Sequence, residues 1–100
     1  MEASYYAVIF TSKQLPDSEG YSEMAEAMET LAKQQAGFLG MESARSELGI
    51  TVSYWQSLEA ITQWKNNTQH QIAQRLGKEK WYEWYTLRIC KVERAYEFQK

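Results

Sequence analysis

Apolar and polar residues alternate in step with a strand in four stretches of this chain, and in step with a helix between them. Tyr5 to Ser12 is the first strand, with Tyr6, Val8 and Phe10 facing one way and Tyr5, Ala7 and Ile9 the other. Tyr21 to Gln35 then places Tyr21, Met24, Ala25, Met28, Leu31 and Ala32 on one helical stripe, with Gly37 where a helix-ending glycine belongs. Phe38 to Ser46, a turn at Glu47-Leu48-Gly49, and Ile50 to Gln56 read as a hairpin. Ser57 caps a helix carrying Leu58, Ile61 and Trp64 on one face. Asn66-Asn67 interrupts it, and Thr68 to Gln71 has the form of a capping box opening a short helix with Ile72, Ala73 and Leu76 apolar, ending at Gly77. Lys78 to Tyr82 is a connector, and Trp84 to Phe98 is one long last strand. In that strand the apolar set changes phase between Ile89 and Cys90, which implies a β-bulge or a change in the buried face.

The order is βαββαβ, so the expected fold is α+β: a ferredoxin-like, single-domain antiparallel sheet over residues 1–100 with helices on one face. The helices cover one face of such a sheet, yet the first strand is apolar on both. An apolar sheet face left in water is a large sticky patch, and stacking two copies face to face removes it. A homodimer, forming a dimeric α+β barrel, is therefore expected, and the long last strand has the reach to touch the partner.

Composition supports the dimer and narrows the chemistry. Aromatic residues make up 14% of the 100 residues, including four Trp and seven Tyr, a heavy load for so small a core. The net charge of −2 argues against nucleic acid as a partner. One Cys and one His cannot build a Cys/His zinc site, and the lone Cys90, read as a buried apolar thiol, fits a reducing compartment. The start Met1-Glu2-Ala3-Ser4 lacks the features of a signal peptide, and no apolar run reaches the ~20 residues of a membrane span. A cytoplasmic protein with no membrane partner is the expectation.

Gly37-Phe38-Leu39-Gly40, the run Ser53-x-Trp55-x-Ser57-x-Glu59-Ala60-x-x-x-Trp64, and His70 together resemble the antibiotic biosynthesis monooxygenase family. These are dimeric α+β barrels that include cofactor-free quinol and polyketide monooxygenases and haem-degrading monooxygenases. The resemblance runs through nearly the whole chain in element order, and the Trp55-to-Trp64 block is its most specific part. It implies an oxygen-using enzyme without a cofactor, acting on a small aromatic or quinol-like metabolite held by Trp, Tyr, Asn and His side chains. The matching residues here are Trp64, Tyr6, Asn66, Asn67 and His70. The alternative it implies is a haem-binding or haem-degrading relative, with haem as cofactor. Trp64 matches the Trp that presses on the porphyrin, but Gln74 stands where the iron-ligating His is expected, and Tyr5 to Ser12 contains no Asn. A third reading is a non-catalytic dimeric ligand-binding or stress protein on the same fold.

Each candidate has a competing structural role. Trp64, on an apolar helical stripe, is either core packing or a pocket wall whose indole stacks on a flat ring. His70, in the first turn of its helix, is either structural or a general base, and the positive end of the helix dipole favours its neutral form. Arg45 either pairs with a surface acid or binds an anionic substrate group, and Asn67 and Tyr6 are further substrate-binding candidates. Trp81, Tyr82, Trp84 and Tyr85 read mainly as packing beneath the helices and at the dimer rim.

Overall fold

The structure is a computed structural model that describes residues 2–100, and the side chains of these apart from Glu2, Ala3 and Thr68. Four strands form one antiparallel sheet: β1 (Glu2–Gln14), β2 (Phe38–Arg45), β3 (Gly49–Trp55) and β4 (Tyr82–Arg94), in the spatial order β2-β3-β1-β4. Helices α1 (Tyr21–Lys33), α2 (Leu58–Lys65) and α3 (Thr68–Leu76) connect them, and a π-helical turn, Gly77–Trp81, carries α3 into β4. This is the α+β ferredoxin-like order expected from the periodicity.

The register assigns the two faces. Tyr6 pairs with Trp55, Val8 with Ser53 and Phe10 with Thr51 on one side of β1; on the other side the same three residues pair with Lys91, Ile89 and Leu87. This face carries the core. Trp55 is fully buried, packed with Ala60 and Ile61 from α2 and flanked by Tyr6, Val8, Phe38 and Trp64. Phe38 meets Trp55 edge-on at 5.4 Å, and the Trp55 indole donates to Ser53 Oγ at 2.9 Å. The opposite face holds Tyr5, Ala7 and Ile9 with Tyr54, Val52, Ile50, Cys90, Val92 and Trp84, and none of the helix core packs there.

Two local features bring α2 onto Trp55. Ser57 caps the helix, its Oγ accepting from Ala60 N at 3.1 Å. Gly37 takes a left-handed φ of 84° in the turn that closes with Phe38 N donating to Gln35 O, and a Cβ there would stand 2.6 Å from the Ala60 Cβ. The chain therefore needs glycine at this position twice over, for its conformation and for the close approach of α2.

Several sequence expectations are corrected. The helix α1 stops at Lys33 rather than Gln35, and Ala25 is exposed, as are Leu58 of α2 and Ile72 of α3. Asn67, rather than Thr68, is the N-cap of α3, its Oδ1 accepting from Gln69 N and His70 N; the Thr68 side chain expected in the capping box lies outside the described residues. The connector is a π-helical turn held by Leu15 N donating to Trp81 O and by the Trp81 indole donating to Glu19 O. No register shift separates Ile89 from Cys90, so there is no bulge at that point; the shifts in β1–β4 pairing lie between Glu2 and Tyr5 and between Lys13 and Gln14. The phase change is instead a change of face: Tyr85, Leu87 and Ile89 lie on the helix side, Cys90 and Val92 on the other. Cys90 is half-buried there rather than part of the core. β4 ends at Arg94, and Tyr96 and Phe98 follow it as exposed, non-strand residues.

Candidate functional site

At the Trp55 end of the helix-covered face, three rings form a column. The Trp64 indole packs on Trp55 with centroids 6.0 Å apart and planes 25° apart, and the His70 imidazole stacks on Trp64 at 4.1 Å and 13°. The helical geometry explains the pairing: α2 ends at Lys65, two residues reverse the chain, and Asn67 caps α3 so that its first turn returns over Trp64. His70 Nδ1 lies 2.9 Å from the Trp64 carbonyl oxygen. A carbonyl only accepts, so Nδ1 carries the proton, and in the neutral ring Nε2 is left as the acceptor. Burial lowers the imidazole pKa below its ordinary value, and the bond to the Trp64 carbonyl offsets this in part. The ring is therefore neutral at neutral pH, held by its Nδ1 bond with Nε2 left as the acceptor nitrogen.

The other expected site residues separate into two groups. Tyr6 packs against the same core as Trp64, opposite Trp55 in the register. Asn67 stands beside His70 in sequence and space, but its Oδ1 is committed to capping α3. Arg45 belongs elsewhere. It lies at the Gly49 end of the hairpin, where Nη2 donates to Ser12 Oγ at 2.9 Å and to Tyr21 Oη at 3.3 Å, and its guanidinium carbon sits 5.5 Å from the Tyr21 ring centre. Ser12 and Tyr6 are six residues apart on β1, which at about 3.3 Å per residue places the two poles roughly 20 Å apart.

Trp81, Tyr82 and Tyr85 of this second pole were legible as an aromatic cluster, but their meeting with Phe10, Tyr21 and Arg45 was not. Phe10 contacts Tyr82 and Tyr85 at 5.4 and 5.1 Å, and Tyr21 meets Trp81 and Tyr82 edge-on at 5.7 and 5.6 Å. The Tyr82 hydroxyl donates to Tyr21 Oη at 3.2 Å. Burial, followed by the contacts with Tyr21, pushes the Tyr82 pKa well up, against the opposing pull of Arg45, so Tyr82 stays a neutral hydroxyl. The contacts join residues 24, 33 and 61 positions apart, and no local spacing announces them.

A groove of about 450 Å³ runs outside both poles, along α1 and the start of α3, lined by Glu23, Glu26, Ala27, Thr30, Leu31, Gln34 and Gln69. Among the described residues no group of three or more His, Cys, Asp or Glu side chains is placed to hold a metal, and no helix is long and apolar enough to cross a membrane.

A porphyrin pressed on Trp64 needs an open indole face, and here one face carries the His70 ring at 4.1 Å while Trp55 packs at 6.0 Å. Gln74 remains at the position of the expected ligand. These residues do not fit haem in the manner that the resemblance implied.

The monooxygenase af470-like family matches residues 6–96. The chain belongs to this family. The membership bears out the resemblance to antibiotic-biosynthesis-type monooxygenases. YqjZ, an uncharacterized protein of Bacillus subtilis (strain 168), is 50% identical over 101 residues, covering 99% of this chain and 89% of that protein. Among solved structures, SnoaB, a cofactor-independent oxygenase from Streptomyces nogalater, superposes with a TM-score of 0.79 at 7% identity, covering 93% of this chain and 97% of its own. PA3566 from Pseudomonas aeruginosa gives a TM-score of 0.74 at 17% identity, covering 94% and 97%. At such identities these two structures establish the shared fold.

Proposed function

We propose that the protein is a homodimeric, cofactor-independent monooxygenase acting on a small aromatic or quinol-like metabolite, with His70 as the general base. The observation that carries the reading is the His70 ring held by the Trp64 carbonyl and the Trp64 indole, with Nε2 left as acceptor. A base needs its proton-accepting atom fixed before its pKa matters, and the Nδ1 bond to the Trp64 carbonyl supports that first requirement. Family membership and the likeness to SnoaB support the reaction class.

In this reading the substrate supplies the electrons and the protein supplies a dry, shaped wall and a proton acceptor. Nε2 of His70 removes an acidic proton from the bound phenol, quinol or activated methylene. The resulting anion passes one electron to O₂, the two radicals join as a peroxide anion, the protonated His70 returns its proton to the distal peroxide oxygen, and loss of water leaves the oxidised carbonyl. Tyr6 forms the aromatic wall, Trp64, sandwiched between Trp55 and His70, fixes the imidazole plane, and the Asn67 Nδ2 amide is the donor left free of the cap. The apolar sheet face opposite the helices carries half-buried Tyr5, Ile9, Val52 and Tyr54 and exposed Ile50 and Trp84, and a second copy of the chain covers it.

The test is oxygen uptake by metal-stripped, cofactor-free protein with a panel of electron-rich phenols and quinols. Uptake above the protein-free rate that falls at least tenfold in His70→Ala supports the reading. Uptake that appears only after haem is added, with a Soret band, favours the haem-dependent alternative. No uptake in either case leaves the non-catalytic ligand-binding reading.

A further inference from the structure

The geometry points to a second ligand site at the Arg45 pole, separate from the Trp64–His70 column, that binds the carboxylate of an aromatic acid. The argument begins with the charge. Two ion pairs occur among the described residues, Lys13 with Glu83 and Lys33 with Glu29, and Arg45 is in neither. Glu42, on the same strand, faces the other side of the sheet, where it accepts from the Tyr54 hydroxyl. Arg45 is instead held by neutral groups. A surface cation with no acid to satisfy usually waves in solvent, whereas this one is tied at two points, one of them fully buried Ser12.

The hydrogen bonds then show what remains to be satisfied. Both protons of Arg45 Nη2 are spent, on Ser12 Oγ and Tyr21 Oη. The N–H groups of Nη1 and Nε make no hydrogen bond among the described residues, since a guanidinium has five donors and no acceptor. Tyr21 Oη accepts from Arg45 and shares one hydrogen bond with the Tyr82 hydroxyl, so one of the two phenol protons has no acceptor among the described residues. A guanidinium and a phenol proton side by side, neither opposed by an acid, suit the two oxygens of one carboxylate.

The walls select the rest of the ligand. Phe10, Tyr82 and Tyr85 gather with centroids 5.1 to 5.8 Å apart, and Leu87, paired with Phe10, is 45% exposed beside them. An aromatic body fits such a surface. The floor is as specific as the walls. Gly49 is buried under the Arg45 side chain, and a Cβ at that position would collide with the guanidinium, so glycine is what lets the arginine lie flat toward Ser12 and Tyr21.

The experiment titrates the protein with 2-naphthoate and with 2-naphthamide, its uncharged counterpart, by calorimetry and by the ring resonances of Tyr21 and Tyr82. The expected result is naphthoate binding in the micromolar-to-millimolar range, at least tenfold tighter than the amide, with shifts at both tyrosines. Arg45→Gln should weaken naphthoate at least tenfold and leave the amide unchanged. Gly49→Ala retains every charge yet displaces the guanidinium, and should weaken naphthoate similarly; it decides the matter if Arg45→Gln proves unfolded by circular dichroism. Equal affinity for acid and amide, unchanged naphthoate binding in both variants, or no binding at millimolar concentration overturns the proposal. None of these readouts depends on turnover, so they stand or fall separately from the oxygenase reading.

Discussion

His70 and Trp64 are where the proposed function and the packing coincide in single residues. Burial lowers the His70 pKa in the folded state, while in the unfolded chain it stays near its ordinary value of about 6.5. As pH falls, the unfolded chain therefore takes up the proton first. The contribution of His70 to stability is complete above pH about 6.5 and is lost as the pH falls through that value toward the lower folded pKa. Urea midpoints should drop between pH 7.5 and pH 5, and the drop should be smaller in His70→Gln; equal drops in the two proteins would contradict the buried imidazole. Trp64→Ala removes a ring from between Trp55 and His70 and is expected to cost about 3–5 kcal/mol. Trp64→Phe keeps most of the volume, so it should cost under about 1.5 kcal/mol while lowering turnover, because a smaller ring no longer fixes the imidazole plane. Both residues were legible in the sequence, Trp64 from its helical spacing and His70 as the one imidazole in a helix's first turn. Their stacking was not, because it depends on the chain reversal at Asn66-Asn67. Arg45 was legible as an anion-binding candidate, but its place at the far pole follows only from strand register.

Among the elements, the hairpin and α2 are the best determined by local sequence. Gly37→Ala meets two obstacles at once, the left-handed φ of 84° and the 2.6 Å approach to Ala60. It should cost about 1–3 kcal/mol in chemical denaturation, against about 1 kcal/mol for removing the Ser57 cap by Ser57→Ala. A smaller effect for Gly37 than for Ser57 would mean that α2 does not sit where it is described. β4 shows the limit of pattern reading. Its phase change between Ile89 and Cys90 was visible, but only the uninterrupted pairing with β1 shows that the apolar residues change face without a bulge. The strand also stops four residues short of Phe98, at Arg94, which pairs with Glu2, the first described residue of β1. The cap of α3 moved from Thr68 to Asn67 for a similar reason: both are good capping residues, and only the backbone geometry chooses between them.

At the scale of the whole molecule, the apolar sheet face opposite the helices is the basis of the proposed dimer. Ile50 and Trp84 are 45% and 41% exposed on it, around a centre formed by Ile9 and Val52. Light scattering should give a mass near twice 11.7 kDa, with an interface of about 2,000 Å² or more in total, and Val52→Glu should shift the protein toward monomer. A wild-type monomer at micromolar concentration would remove the stacked-sheet account. The fold and its open face were legible because both follow from two-residue and three-to-four-residue periods. The substrate was not, because it depends on how side chains distant in sequence meet. The central claim, that the Trp64–His70 column serves a cofactor-independent oxygenation, is tested most directly by turnover under ¹⁸O₂ with metal-stripped protein and the phenol and quinol panel. The account predicts one labelled oxygen in the product, formed above the protein-free rate and lost in His70→Ala. Product without label, or label incorporated equally by wild type and His70→Ala, would contradict it.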